Sequence, residues 1–286
     1  MSASTGSLNA SVEEILTDLT YDLNSIETFE RALESVPAGS RVAVTLNPDN
    51  GVEPTIDRTV QAVEAGYHAV PHLGARFIED EAELDRILSR LTAAGTSEIF
   101  VIGGDSESPV GEFDSAHELL LAIDALGYDF DEIGIGGYPT GHESIPDETM
   151  ATALREKAEH ATYIVTQLSF SADDIVGWIE DVRDRGVSLP IEVGIPGVMN
   201  YWRLMSLCRM WGVAKPLQFL RKTTGIAGFA VELLRSRGTY DPGELVHELA
   251  PYFEADPYDV RRFRLYTFNQ TADTERWRRA QLEAMD

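Results

Sequence analysis

Two residue types are nearly missing from this chain. Cys208 is the single cysteine in 286 residues, so no intramolecular disulfide can form, and a reducing, intracellular setting is the default expectation. Lysine occurs three times, at Lys157, Lys215 and Lys222, against twenty arginines. No apolar run approaches the ~20 residues that a membrane-spanning helix requires. The N-terminal stretch MSASTGSLNASVEEILTDL has neither a basic leader nor an apolar core. A soluble, cytoplasmic protein with no membrane partner is expected. The six histidines show no spacing with cysteine or acids that would form a zinc cage. Also absent are a GxGxxG fingerprint, a GxxxxGK(S/T) phosphate loop and a serine-centred nucleophile elbow. Rossmann, P-loop and hydrolase readings are therefore unsupported, and missing nucleophiles point to chemistry carried by a bound cofactor.

Positive charge is scarce as well. With 48 acidic and 23 basic residues the formal charge is −25, which repels nucleic acid and anionic membranes. Acid spread through every predicted helix, with little lysine, is the pattern of a surface kept hydrated in concentrated salt. The composition predicts a halophilic protein.

Against these absences stands a regular alternation. Short β-rich runs occur at LTYDLN (19–24), RVAVTLN (41–47), HAVPHL (68–73), EIFVIG (98–103), EIGIGGY (132–138), TYIVTQL (162–168), PIEVGI (190–195) and FRLYTF (263–268). Amphipathic runs at 26–36, 54–66, 80–95, 114–127, 147–160 and 172–186 separate them, several opening on Asp or Ser and closing on Gly. Eight continuously apolar strands alternating with helices predict a parallel sheet covered on its outside, closed into a (β/α)8 TIM barrel. The hydrophobic content of 43% suffices for one such core. Residues 1–15 read as an N-terminal arm and 16–286 as a single barrel domain, with extra helices over 213–262 before the last strand.

In such a barrel the chemistry gathers where the strands end. Asp105, after the tight Gly103–Gly104 step, reads equally as a ligand-facing carboxylate or as the cap of the next helix. Thr45 and His72 end two earlier strands, and His72 is either a ligand contact or a hydrogen-bonded structural residue. Tyr138 and His142 share one Gly- and Pro-rich loop, suited to a flat heterocycle or to packing under the loop itself. Gln167 carries a carboxamide that donates and accepts at once, as a pterin or pyrimidine edge requires. Lys157, near the end of a helix, is either turned toward the site or a surface residue favoured by the helix dipole.

Taken in order, these tips resemble the methylenetetrahydrofolate reductase family from Thr20 to about Asn269. The family's GD strand end is similar to Gly104–Asp105, its AYPxxH loop to 137–142, its TQ strand to Thr166–Gln167, and its closing YTLN strand to Tyr266–Thr267–Phe268–Asn269. Its PI-x-x-GI strand and N-aromatic step resemble 190–195 and Asn200–Tyr201. The resemblance implies an FAD site lined by Thr45, His72, Gly104, Asp105, Tyr138, His142 and Lys157. Gln167 would hold the pterin, and Tyr201 would stack on folate or nicotinamide. It implies NAD(P)H-dependent reduction of 5,10-methylenetetrahydrofolate to 5-methyltetrahydrofolate, with Asp105 stabilising a cation and a second carboxyl acting as acid. A homo-oligomer is compatible with it.

Two positions leave the family's pattern. Asp22 stands where the family ends its first strand on glutamate, and Gly103 stands where it usually has arginine. Arg76 is the candidate to replace that cation, and a flavin-free variant is the alternative to a bound FAD. A folate-dependent methyltransferase or demethylase, and a non-catalytic folate- or flavin-binding protein, are the competing readings.

Overall fold

A computed structural model describes residues 12–142, 144–210, 238–253 and 255–285. Eight strands form a closed, all-parallel barrel: β1 (Leu19–Asn24), β2 (Arg41–Thr45), β3 (His68–Gly74), β4 (Glu98–Ile102), β5 (Glu132–Gly137), β6 (Tyr163–Thr166), β7 (Ile191–Pro196) and β10 (Val260–Tyr266). The remaining strands, β8 (Met199–Asn200) and β9 (Thr239–Tyr240), make a separate antiparallel pair. Between the barrel strands run α1 (Phe29–Glu34), α2 (Glu53–Glu64), α3 (Glu81–Ala94), α4 (Ala116–Leu126), α5 (Asp147–Ala158) and α6 (Ala172–Asp184). They are followed by α7 (Tyr201–Met210), α8 (Gly243–Leu249) and α9 (Thr271–Glu283). The expected (β/α)8 barrel is what the chain forms.

The strands alternate because the barrel has two chemically different faces. Outward residues such as Val42, Val44, Ile99, Val101, Ile135, Val193 and Ile195 are buried in one apolar cluster with helix residues Leu84, Leu88, Leu119, Ile123, Ile175 and Ile179. Removing one of these large side chains to Ala would cost about 2–5 kcal/mol. Helix starts are set by polar caps. Asp80 accepts from Glu83 N at 2.8 Å before α3, and Ser115 closes a capping box with Glu118 before α4.

Inside the barrel a small apolar layer of Val70, Phe100, Tyr163 and Val165 separates its two ends. The end where the strands begin is filled by ion pairs among Arg41, Glu98, Glu132, Glu192, Arg261 and Arg262. The seam between β1 and β10 is stitched by Asn269, whose carboxamide accepts from Asn24 N at 2.8 Å and donates to Asn24 O at 3.1 Å.

The last barrel strand covers 260–266 and not 263–268. Phe268 and Asn269 sit at φ 47° and 60°, in the left-handed region, so the extended backbone stops at Tyr266. Of the expected arm, residues 12–15 are helical, with Val12 and Ile15 buried in the main core. Of the extra helices, α8 and a short 3-10 turn at Ala250–Tyr252 are present, and 211–237 lies outside the described residues.

Candidate active site at the barrel mouth

At the mouth, β1 brings Asp22 level with Tyr266 of β10 and Ala43 of β2. The carboxylate is 4% exposed. Arg264 Nε donates to its Oδ2 at 2.9 Å, the Thr45 hydroxyl donates to Oδ1, and His72 Nε2 lies 3.7 Å from Oδ2. Burial raises the Asp22 carboxyl above the ordinary carboxylate range, against the pull of Arg264 and of the Thr45 hydroxyl. The His72 imidazole is pushed well below its usual value by burial and then by the adjacent guanidinium. Its ring tilts against Phe100, with centroids 4.7 Å apart.

Beside this floor lies a cleft of about 1110 Å³, walled by the ends of β4 and β5 and by α5 and α6. Gly104, Asp105, Tyr138, His142 and Lys157 all line it, together with Trp178, which sequence reasoning did not single out. Gly104 adopts φ +94°, and a Cβ there would come within 2.8 Å of the Phe77 ring, so the turn that presents Asp105 requires glycine. Asp105 is exposed on that bend, and α4 is capped by Ser115 instead, which removes the capping alternative. Tyr138 meets His142 edge-on at 5.8 Å, and its phenol is raised by burial and by the charge of Asp105. Lys157 turns inward: Nζ donates to Gly136 O at 3.2 Å, and burial lowers the ammonium to about 8.

The expected residues thus fall into separate groups. Thr45 and His72 join Asp22 on the floor and are not part of the cleft lining. Gln167 follows β6 at the rim, its backbone N bonded to Gly137 O at 2.8 Å, and among the described residues its carboxamide has no hydrogen-bond partner. Tyr201 is buried in a second apolar cluster with Leu168, Phe170, Met199, Leu204 and Tyr240, against which Tyr266 packs. Tyr266 lies between floor and rim, its hydroxyl donating to Thr166 O at 3.2 Å.

Two further residues of this mouth, Arg264 and Tyr266, come from FRLYTF. The signal was available: an arginine two positions before a tyrosine in an apolar strand shares that tyrosine's face. Arg76, the candidate replacement cation, lines the cleft but is committed to Asp114 Oδ1 at 3.0 Å and to the Ser106 carbonyl at 2.8 Å. Among the described residues no group of three or more His, Cys, Asp or Glu could hold a metal, and no helix is long and apolar enough to cross a membrane.

With this geometry in view, comparison with known proteins is informative. The family model for methylenetetrahydrofolate reductase matches residues 15–276. The chain belongs to the methylenetetrahydrofolate reductase family. Methylenetetrahydrofolate reductase 1 of Schizosaccharomyces pombe is 27% identical over 196 residues, covering 65% of this chain and 31% of that protein. Methylenetetrahydrofolate reductase 2 of Saccharomyces cerevisiae is 26% identical over 197 residues, covering 65% and 32%. A probable methylenetetrahydrofolate reductase (NADPH) of Caenorhabditis elegans is 23% identical over 214 residues, covering 69% and 32%. The match thus spans about a third of the length of these relatives. Among solved structures, a putative phosphonomutase from Burkholderia cenocepacia J2315 superposes with a TM-score of 0.50 at 12% identity, over 92% of each chain. That likeness is one of fold.

Proposed function

We propose that the chain catalyses NAD(P)H-dependent reduction of 5,10-methylenetetrahydrofolate, with Asp22 as the acid. The observation that carries this reading is the Asp22 carboxyl at the mouth, buried and raised by that burial, at the same end of the barrel as a cleft large enough for a dinucleotide. Opening the imidazolidine ring of the substrate requires a proton at N10, and burial of the Asp22 carboxyl favours its protonated form. Gln167, with an unspent carboxamide at the rim, suits the donor and acceptor edge of a pterin. Asp105, exposed at the tip of β4, supplies a fixed negative charge for a cation developing on the substrate.

The residues present fit a flavin. Gly103 faces open space, since a Cβ there would meet nothing within 4 Å. Tyr138 and His142 offer ring edges for a flat heterocycle, and the inward ammonium of Lys157 offers charge to a phosphate. When bound, a flavin supplies the two-electron relay between reduced nicotinamide and the folate. The acid-rich lining, with Arg76 committed to Asp114 and Arg185 to Glu148 at 3.0 Å, makes that hold weak in dilute buffer.

The test is NAD(P)H oxidation in the presence and absence of 5,10-methylenetetrahydrofolate, with the visible spectrum of freshly purified protein. Folate-dependent oxidation with flavin bands supports the whole reading, and the same activity without bands supports a direct, flavin-free transfer. Tight folate binding without oxidation would instead favour a binding protein or a methyl-transfer enzyme.

A further inference from the structure

Arg264 is a charged group of the floor that has no part in this reading. It has no exposed surface. Its Nε donates to Asp22 Oδ2 at 2.9 Å, its Nη2 contacts His72 Nε2, and its Cζ lies over the Phe100 ring, 4.7 Å from the centroid. Nη1 is buried and, among the described residues, without a partner. A guanidinium has donors only, so the histidine nitrogen it meets must accept. His72 is then neutral, with its lone pair on Nε2 and its proton on Nδ1.

We propose that Arg264 is a positioning residue that fixes the protons of the mouth. It clamps Asp22 through Oδ2 and locks His72 as the neutral Nδ1–H tautomer, leaving Asp22 as the acid among the described residues of the floor. Its part in turnover rests on the reductase reading above; the proton positions do not.

Among the described residues no neighbour replaces it. β2 presents the Thr45 hydroxyl, β4 the Phe100 ring, and β7 the Glu192 carboxylate, already bound to Arg261 and Arg262. The phenols of Tyr138, Tyr163 and Tyr266 are all raised by burial and stay protonated. Without the guanidinium, His72 faces Asp22 Oδ2 at 3.7 Å with no competing cation, and protonating it forms an ion pair.

Proton–nitrogen NMR of histidine-labelled protein tests this, with the His72 signals assigned by their loss in His72→Gln. In the wild type the ring is expected as the Nδ1–H tautomer, unchanged from about pH 5.5 to about pH 8.5. In Arg264→Gln the ring should titrate within that window, and in Arg264→Lys the retained charge should suppress the titration. The pH profile of kcat should gain a limb in Arg264→Gln that follows the His72 titration, with kcat down roughly tenfold or more. An Nε2–H tautomer or a titrating ring in the wild type overturns the proposal. So does a Gln variant whose ring stays neutral while kcat falls equally at every pH. If Arg264→Gln does not fold, the wild-type tautomer and the Lys variant decide. Should the NMR result hold while the wild type reduces no methylenetetrahydrofolate, the reductase reading fails and the proton assignment stands.

Discussion

The two ends of the barrel use charge in opposite ways. Where the strands begin, three arginines meet three glutamates: Arg261 reaches Glu132 at 2.5 Å and Glu192 at 3.2 Å, Arg262 reaches Glu192 at 2.8 Å, and Arg41 contacts Glu98. His68 joins Glu98 at 2.6 Å, and Asp18 joins Arg262 at 2.7 Å. Where the strands end, the Asp22 carboxylate and the Arg264 guanidinium meet a neutral histidine and a hydroxyl, and Asp105 and Lys157 line the cleft at the ends of β4 and β5. The first arrangement pairs acid with base, although Glu98 Oε1, Arg261 Nε and Arg262 Nε stay buried without a partner among the described residues. The second also holds one such atom, Arg264 Nη1, and what sets it apart is that the loops following the strands at this end carry the cleft.

The sharpest way to break this comparison is Asp22→Asn. Loss of the acid should lower methylenetetrahydrofolate reduction about 10²- to 10⁴-fold while leaving NAD(P)H-dependent flavin reduction intact. Arg264 keeps its charge and loses its counter-ion, so stability falls as well. The deciding quantity is kcat measured where both proteins are fully folded, and an unchanged folate rate removes Asp22 from the chemistry.

The opposite end should respond in the opposite sense. Glu192→Gln takes one carboxylate from Arg261 and Arg262, which keep Glu132 and Asp18, and should cost about 1–3 kcal/mol in denaturant unfolding. Its kcat at a permissive temperature should match the wild type. A kcat loss comparable to that of Asp22→Asn would mean that the two ends are not functionally distinct.

A smaller effect is expected in the cleft. Lys157 is cationic below about 8 and loses its charge above it, because burial lowers it from the ordinary ammonium range. Affinity for flavin mononucleotide, followed by fluorescence quenching, should therefore decline a few-fold as pH rises through about 8. Lys157→Met should bind more weakly and show no such step. A step that survives in Lys157→Met belongs to another group.

Most of the barrel was legible in the chain because each buried parallel strand is a continuous apolar run that stops on a polar tip. β1 matches its expected bounds, and β2 to β7 differ from theirs by a residue or two. The last strand starts at Val260 and not at Phe263, because Arg261 and Arg262 pair with Glu132 and Glu192, which are distant in sequence. The β8–β9 pair is two residues long on each side, too short for any periodicity. At the site, Gln167 could be named from a strand end, Lys157 from the end of a helix and Asp22 from the family resemblance. Their grouping could not, since which of them share the floor and which share the cleft depends on barrel shear. Arg264 was missed because a charged residue in a strand looks like an edge until a buried carboxylate on another strand explains it.

The remaining contrast is between buried and surface charge, and salt separates the two. Glu98 and Glu192 of the closed-end network are buried, while most of the net charge of −25 lies in water. In molar KCl the Debye length shrinks to about 3 Å, so repulsion among surface acids fades and buried pairs are little affected. The melting temperature should therefore rise by several degrees from low to molar KCl in the wild type, and by the same amount in Glu192→Gln. Equal increments would mean that salt acts only on the surface. A larger increment in the variant would show that ions reach the barrel interior once Glu192 is neutral. No rise in either protein would mean that surface repulsion does not limit this fold, and the halophilic reading of its composition would fail.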